Sequence, residues 1–288
     1  MLCRMDTGQY IRDRQLGWAF RRGIKLEGGK GARGERRYCV SLEDNLFVPL
    51  SPASRAEFER GDGGELGGKM RALHSSAAAC VNLFEYWRRN QQVHVIAKAC
   101  GLPASGTPEL CYEENKLPVG AGLNRAVFKR NPNIDAVLRY GPGSRARTAG
   151  IEFKFTEAYG SRGYHELSER YLTGDWWDGL TNLRQIAGEI SPTDTTYHHL
   201  HPAQLIKHVL VLRHAHGPQG FRLLYLWYDG PFDDGCRHRE EVSRFAEAAK
   251  RDGVAFQAIT MQEVIHRLAC NHREAHAKYV DYLTERYL

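Results

Sequence analysis

No stretch of the 288-residue chain approaches the roughly 18 consecutive apolar residues of a membrane-spanning helix. The opening MLCRMDTGQYIRDRQ also lacks the apolar run of a secretory signal, which predicts a cytoplasmic protein. Cysteines are few and badly spaced for chemistry: the seven (Cys3, Cys39, Cys80, Cys100, Cys111, Cys236, Cys270) are odd in number and never form CxxC. That argues against a disulfide framework and against a thiolate zinc site. Internal repeats and low-complexity segments are missing too, which sets aside solenoids and arrays. The thirteen histidines include HHLH at His198 to His201 and HAH at His214 to His216, but neither has a zinc-site spacing, so they read as loop or surface residues.

One apparent motif fails on inspection. Gly63 to Lys69 fits GxxxxGK, yet Met70 stands where a phosphate-cradling loop needs Ser or Thr for magnesium, and the preceding AEFERGD is no buried strand.

What is present is a core-forming composition, with 42% hydrophobic and 10% aromatic residues, and an uneven charge. Residues 1 to 40 hold ten Lys or Arg against four acids, a surplus equal to the whole chain's net charge of +6. Interleaved glycines make this segment suited to a flexible arm tracking a phosphate backbone, with Arg21, Arg22, Lys25, Lys30, Arg33, Arg36 and Arg37 as candidate contacts. A solvated, mobile terminus is the plainer alternative. With the glycine-rich linker around 61 to 68, residues 1 to 70 form a basic extension.

Beyond it, LHSSAAACVNLFEYWRRN has helical periodicity with a serine cap. ELCYEEN, NIDAVLRY and GIEFKFTE read as a three-strand meander. A helix over SERYLTGDWWDGLTNLRQIAGEI, strands at KHVLVLRH and FRLLYLWYD, a helix ending on Gly253, a strand at VAFQAIT and an amphipathic final helix complete the order. Mixed in this way, they predict an α/β domain, a central mixed β-sheet flanked by helices. DWWDG reads as a core anchor, with base stacking by the indoles as the alternative.

The meander carries charge where buried strands should be apolar. Alternation puts Glu152 and Lys154 on one face and Ile151, Phe153 and Phe155 on the other, while Asp135 lies in the neighbouring strand about 4.8 Å away. Two close carboxylates suit an oxygen-seeking cation, Mg²⁺ or Mn²⁺, and a lysine beside them can orient or deprotonate a water or balance charge. The plainer reading makes Asp135 a strand cap and Glu152 with Lys154 a solvent-facing pair. E-x-K alone is weak, since Glu114-Asn115-Lys116 matches it as well.

Asp135, a linking loop and then Glu152-Phe153-Lys154 on an apolar strand resemble the core of the PD-(D/E)XK, or restriction-endonuclease-like, nuclease superfamily. The element order from residue 75 to about 230 is similar to that fold, and several segments look like bacterial restriction endonucleases tied to phage defence. The resemblance implies a nuclease domain over 71 to 288, cutting DNA with Mg²⁺ or Mn²⁺ held by Asp135 and Glu152, and Lys154 placing the water. By the same resemblance Glu113 or Glu114 assists, only one of them facing inward, and Gln185 faces the site from a following helix. Ile134 departs from the family's proline, and Glu189 from a tyrosine seen in one subgroup. Arg145 and Arg147, in the hairpin between the two strands, are candidate phosphate contacts. DNA, a defence-system partner protein and no membrane are the implied associations; a homodimer would account for double-strand cuts. The competing functions are a non-cutting nucleic-acid-binding or assembly subunit and a nuclease directed at RNA.

Overall fold

The computed structural model describes residues 6–28, 36–61, 64–114, 132–144, 146–160 and 167–288. Lys30, Arg33 and Arg145, and the side chain of Arg36, lie outside the described residues. The helices are α1 (Thr7–Arg21), α2 (Pro52–Arg60), α3 (Ser76–Arg89), α4 (Val93–Ala99), α5 (Glu169–Thr173), α6 (Thr181–Glu189), α7 (Pro202–His216), α8 (Asp233–Arg251), α9 (Met261–His272) and α10 (Ala277–Tyr287). The strands are β1 (Leu26–Gly28), β2 (Arg36–Cys39), β3 (Glu109–Glu114), β4 (Ile134–Arg139), β5 (Thr148–Lys154), β6 (Phe221–Trp227) and β7 (Phe256–Thr260).

Strands β3 to β7 form one five-stranded sheet in sequence order, and β1 pairs with β2 apart from it. The expected meander is there: β3, β4 and β5 are antiparallel neighbours, with Ala136 opposite both Tyr112 and Ile151. From β5 onward the pairing turns parallel through β6 to β7, so the chain must cross over between strands. Helices cover both faces. On one, Ile151, Phe153 and Phe155 of the β5 segment pack with α1, α3, α9 and α10; on the other, Tyr225 and Trp227 of β6 pack with α6, α7 and α8. This is a mixed α/β sheet between helical layers, as the sequence predicts.

Two local readings change. KHVLVLRH is not a strand but the centre of α7, buried on nearly every side from Ala203 to Leu212. A helix enclosed in this way loses the one-sided stripe that marks helices in a sequence. Its ends are well marked all the same: Pro202 opens the first turn and Gly217 follows the last with φ 75°.

The expected flexible arm is, over residues 7 to 21, a helix built into the core. Ile11, Trp18 and Ala19 are buried, and α1 packs against α10. Asp6 caps its start, accepting from the Gln9 amide at 2.7 Å. Its inner end meets Arg286 of α10, which is 1% exposed and has no carboxylate among its hydrogen-bond partners. The guanidinium donates instead to Gln15 Oε1, Tyr282 Oη, Asn45 O and Oδ1, and Leu73 O, while stacking over Trp18 at 4.1 Å. Neutral acceptors and an indole face thus meet all the donors of the fork.

Candidate active site

The site lies at one end of the sheet, where β3 and β5 finish and β4 begins. Asp135, the second residue of β4, accepts the Phe153 amide on Oδ2 at 2.8 Å, which fixes its carboxylate at the Glu152–Phe153 peptide. Glu152 is 1% exposed. Its Oε1 lies 2.5 Å from Lys154 Nζ as an ion pair without a well-directed hydrogen bond, and its Oε2 lies 2.7 Å from His208 Nε2. Asp135, Glu152 and Lys154 therefore come together, and Glu152 is enclosed rather than solvent-facing.

The charges at this point are strongly coupled. Burial works to raise the Glu152 pKa, but Lys154 and His208 outweigh it and hold the carboxyl at about 2. Asp135 goes the other way: burial and then the neighbouring Glu152 charge raise it well above the usual aspartate range, with Lys154 opposing. Burial works to lower the pKa of Lys154, yet Glu152, Asp135 and Glu157 together raise it. Its side chain is accordingly a held ammonium rather than a free base.

Glu113 joins from β3 by breaking the expected alternation. Its φ of 51° is left-handed, a conformation that costs a non-glycine residue about 1 kcal/mol or more. Asn133 hydrogen-bonds its Oε2, and burial, with Glu65 and Glu152 nearby, raises its pKa. A Cβ on Gly61 would fall 2.9 Å from Glu113 Cβ, so only glycine lets the chain after α2 lie this close. Glu114 pairs instead with Arg139. Both glutamates also line a cleft of about 280 Å³ with Glu57, Arg60 and Glu109.

Several predicted residues are not brought here. Gln185 is exposed on α6 and donates to Glu189, which in turn pairs with Arg244 of α8. Arg147 is exposed at the opposite end of β5, five residues and about 16 Å of strand from Glu152. Arg21 and Lys25 are exposed, Arg22 pairs with Glu285 at 2.5 Å, and Arg37 is half-buried. Trp177 is buried and Trp176 partly so, both donating to Tyr171 O, which favours the anchoring role over stacking.

Sequence reasoning missed His208. It is wholly buried and reaches Glu152 from α7, the segment read as a strand. The signal was a histidine beside Lys207 within the apolar run LIKHVLVL, the lysine remaining half-exposed while His208 is enclosed. Glu157 was missed as well; it contacts Ser76 and the Phe155 amide just past Lys154.

The family described as a restriction endonuclease associating with ARP matches residues 12–288. The chain belongs to this restriction endonuclease family. Neither a curated protein nor a solved structure matches it. In this member of the family, the donor set at the sheet end fits a hard divalent cation. Asp135 and Glu152 offer oxygens only, and Oε1 of Glu152 is buried with the Lys154 ammonium 2.5 Å away. Among the described residues no group of three or more His, Cys, Asp or Glu is suited to a metal, so an all-protein cage is not on offer. Magnesium needs none, since one or two carboxylates with water and substrate phosphate satisfy it. Among the described residues no helix is long and apolar enough to cross a membrane.

Proposed function

We propose that the protein hydrolyses phosphodiester bonds of DNA with Mg²⁺ or Mn²⁺ held by Asp135 and Glu152. The observation that supports this most is the meeting of Asp135, Glu152 and Lys154 at the end of β5, in a chain of a restriction endonuclease family. Bound there, a divalent cation supplies Lewis-acid polarisation of the phosphate and makes a water nucleophilic at neutral pH. The protein's own groups do the rest. Glu152, held near a pKa of about 2, is ionised at every working pH. Burial, and then the Glu152 charge, makes Asp135 reluctant to ionise, and a divalent cation held by these two carboxylates would offset both. Lys154, with its raised pKa, keeps its proton and donates from Nζ to a water or a phosphate oxygen, countering the charge that grows in the transition state. Glu113, near enough to Glu152 to feel its charge, is the group we assign to accept from a further water. Restriction of foreign DNA is the setting we propose, with ARP, named in the family description, as an associate.

The test uses plasmid, single-stranded DNA and RNA with Mg²⁺, Mn²⁺ or EDTA. Wild type should nick or linearise plasmid only with metal, and Lys154→Ala and Glu152→Gln should each cut about 10² to 10³ times more slowly. Cutting of RNA alone would redirect the substrate. No cutting of any substrate with either metal, or a fully active Lys154→Ala, would sink the proposal.

A further inference from the structure

Helix α7 lies against β5 and β6 on the face that carries Glu152. Its approach depends on Gly150, where an added Cβ would stand 3.0 Å from Leu212 Cδ1. Two residues further along β5 is Glu152; one turn back along α7 is His208. The spacings match, about 6.6 Å for two strand residues and about 6.0 Å for four helical ones. Gly150 with Leu212 and Glu152 with His208 are therefore successive rungs of one helix-to-strand seam. At the second rung the imidazole is 0% exposed and the carboxylate 1%. An ionised carboxylate only accepts, so Nε2 carries the proton and donates, while Nδ1 has no hydrogen-bond partner.

We infer that His208 is a positioning residue for the active site. By engaging Oε2 it fixes the rotation of the Glu152 carboxylate and leaves Oε1 as the oxygen turned toward Lys154. A carboxylate without that donor is free to turn, and a ligand that turns binds its cation less well. His208 itself, 0% exposed, is shut off from solvent. The inference rests on the reading of Asp135 and Glu152 as the cation's ligands.

The experiment measures Mn²⁺ binding by electron paramagnetic resonance on the full chain without nucleic acid, beside plasmid-cutting kinetics. Thermal midpoints confirm folding of each variant. His208→Leu fills the space without a donor; it should bind Mn²⁺ about 10- to 100-fold more weakly and lose kcat comparably, with KM for DNA unchanged. His208→Gln, whose amide N–H can reach the same oxygen, should restore most of both. Should His208→Leu not fold, His208→Asn replaces it, because its amide falls one methylene short and should show the same losses. A donor-free or shortened variant that matches wild type, or a His208→Gln as impaired as either, overturns the positioning role. Wild type that neither binds Mn²⁺ nor cuts would instead overturn the cation-site reading, and this inference with it.

Discussion

At the scale of single residues, buried polar groups here are tuned by their partners rather than by burial alone. His238 is wholly buried, with Nε2 2.9 Å from Tyr225 Oη and Nδ1 3.0 Å from Tyr159 Oη. Tyr159 donates its own proton to Tyr228 O, so Nδ1–H donates to Tyr159 and Nε2 accepts from Tyr225. A neutral imidazole meets both demands, and burial, with His199 nearby, holds the pKa at about 3. The unfolded chain takes up this proton near the ordinary value of about 6.5, whereas the native chain refuses it until about pH 3. Stability should therefore fall as pH drops through that window, by up to about 1.4 kcal/mol per pH unit. Urea melts between pH 4 and about 6.5 would check it: His238→Gln should flatten the acid limb, and an unchanged slope would refute the assignment. Arg286 makes the opposite demand, a permanent cation held by neutral acceptors. Lysine cannot span Gln15, Asn45 and Leu73 at once, so Arg286→Lys should cost about 2 to 4 kcal/mol in denaturant melts.

At the scale of elements, legibility followed locality. Asp135, Glu152 and Lys154 lie on two strands joined by a short hairpin, so alternation and a meander suffice to bring them together. His208 comes from a segment more than fifty residues on, and no local pattern links it to Glu152. The misreading of α7 compounded this, because enclosure by the sheet and α6 erases helical periodicity. Its punctuation was readable from Pro202 and Gly217. An added Cβ on Gly217 would meet nothing within 4 Å, so its φ of 75° alone sets the cost of a side chain. Gly217→Ala should lower stability by about 1 kcal/mol, read from denaturant midpoints, and leave DNA cutting intact. Glu113 escaped the alternation argument for another reason. Its left-handed backbone conformation goes with tertiary neighbours, Gly61 lying against its Cβ and Asn133 bonding its carboxylate, which no local pattern announces.

At the scale of the whole molecule, part of the basic surplus near the start of the chain is carried by folded elements among the described residues: Arg12, Arg14 and Arg21 lie on α1 and Arg37 on β2. Deleting α1 would remove Ile11 and Trp18 from the core, so point neutralisation is the informative route. Arg21→Gln with Lys25→Gln, both at exposed positions, should lower the log–log salt slope of DNA binding by about 0.9 for each phosphate no longer neutralised, with folding unchanged. An unchanged slope would exclude these residues from the interface. The joint between Gln15 and Arg286 spans 271 residues of sequence. Pairings that distant carry a large loop-closure cost before they return any stability, so they form late in folding. During synthesis α1 is made before α10, and Trp18 meets Tyr282 and Arg286 only when α10 arrives. In the interval the Trp18 indole lacks those two partners and is open to proteases and to other chains.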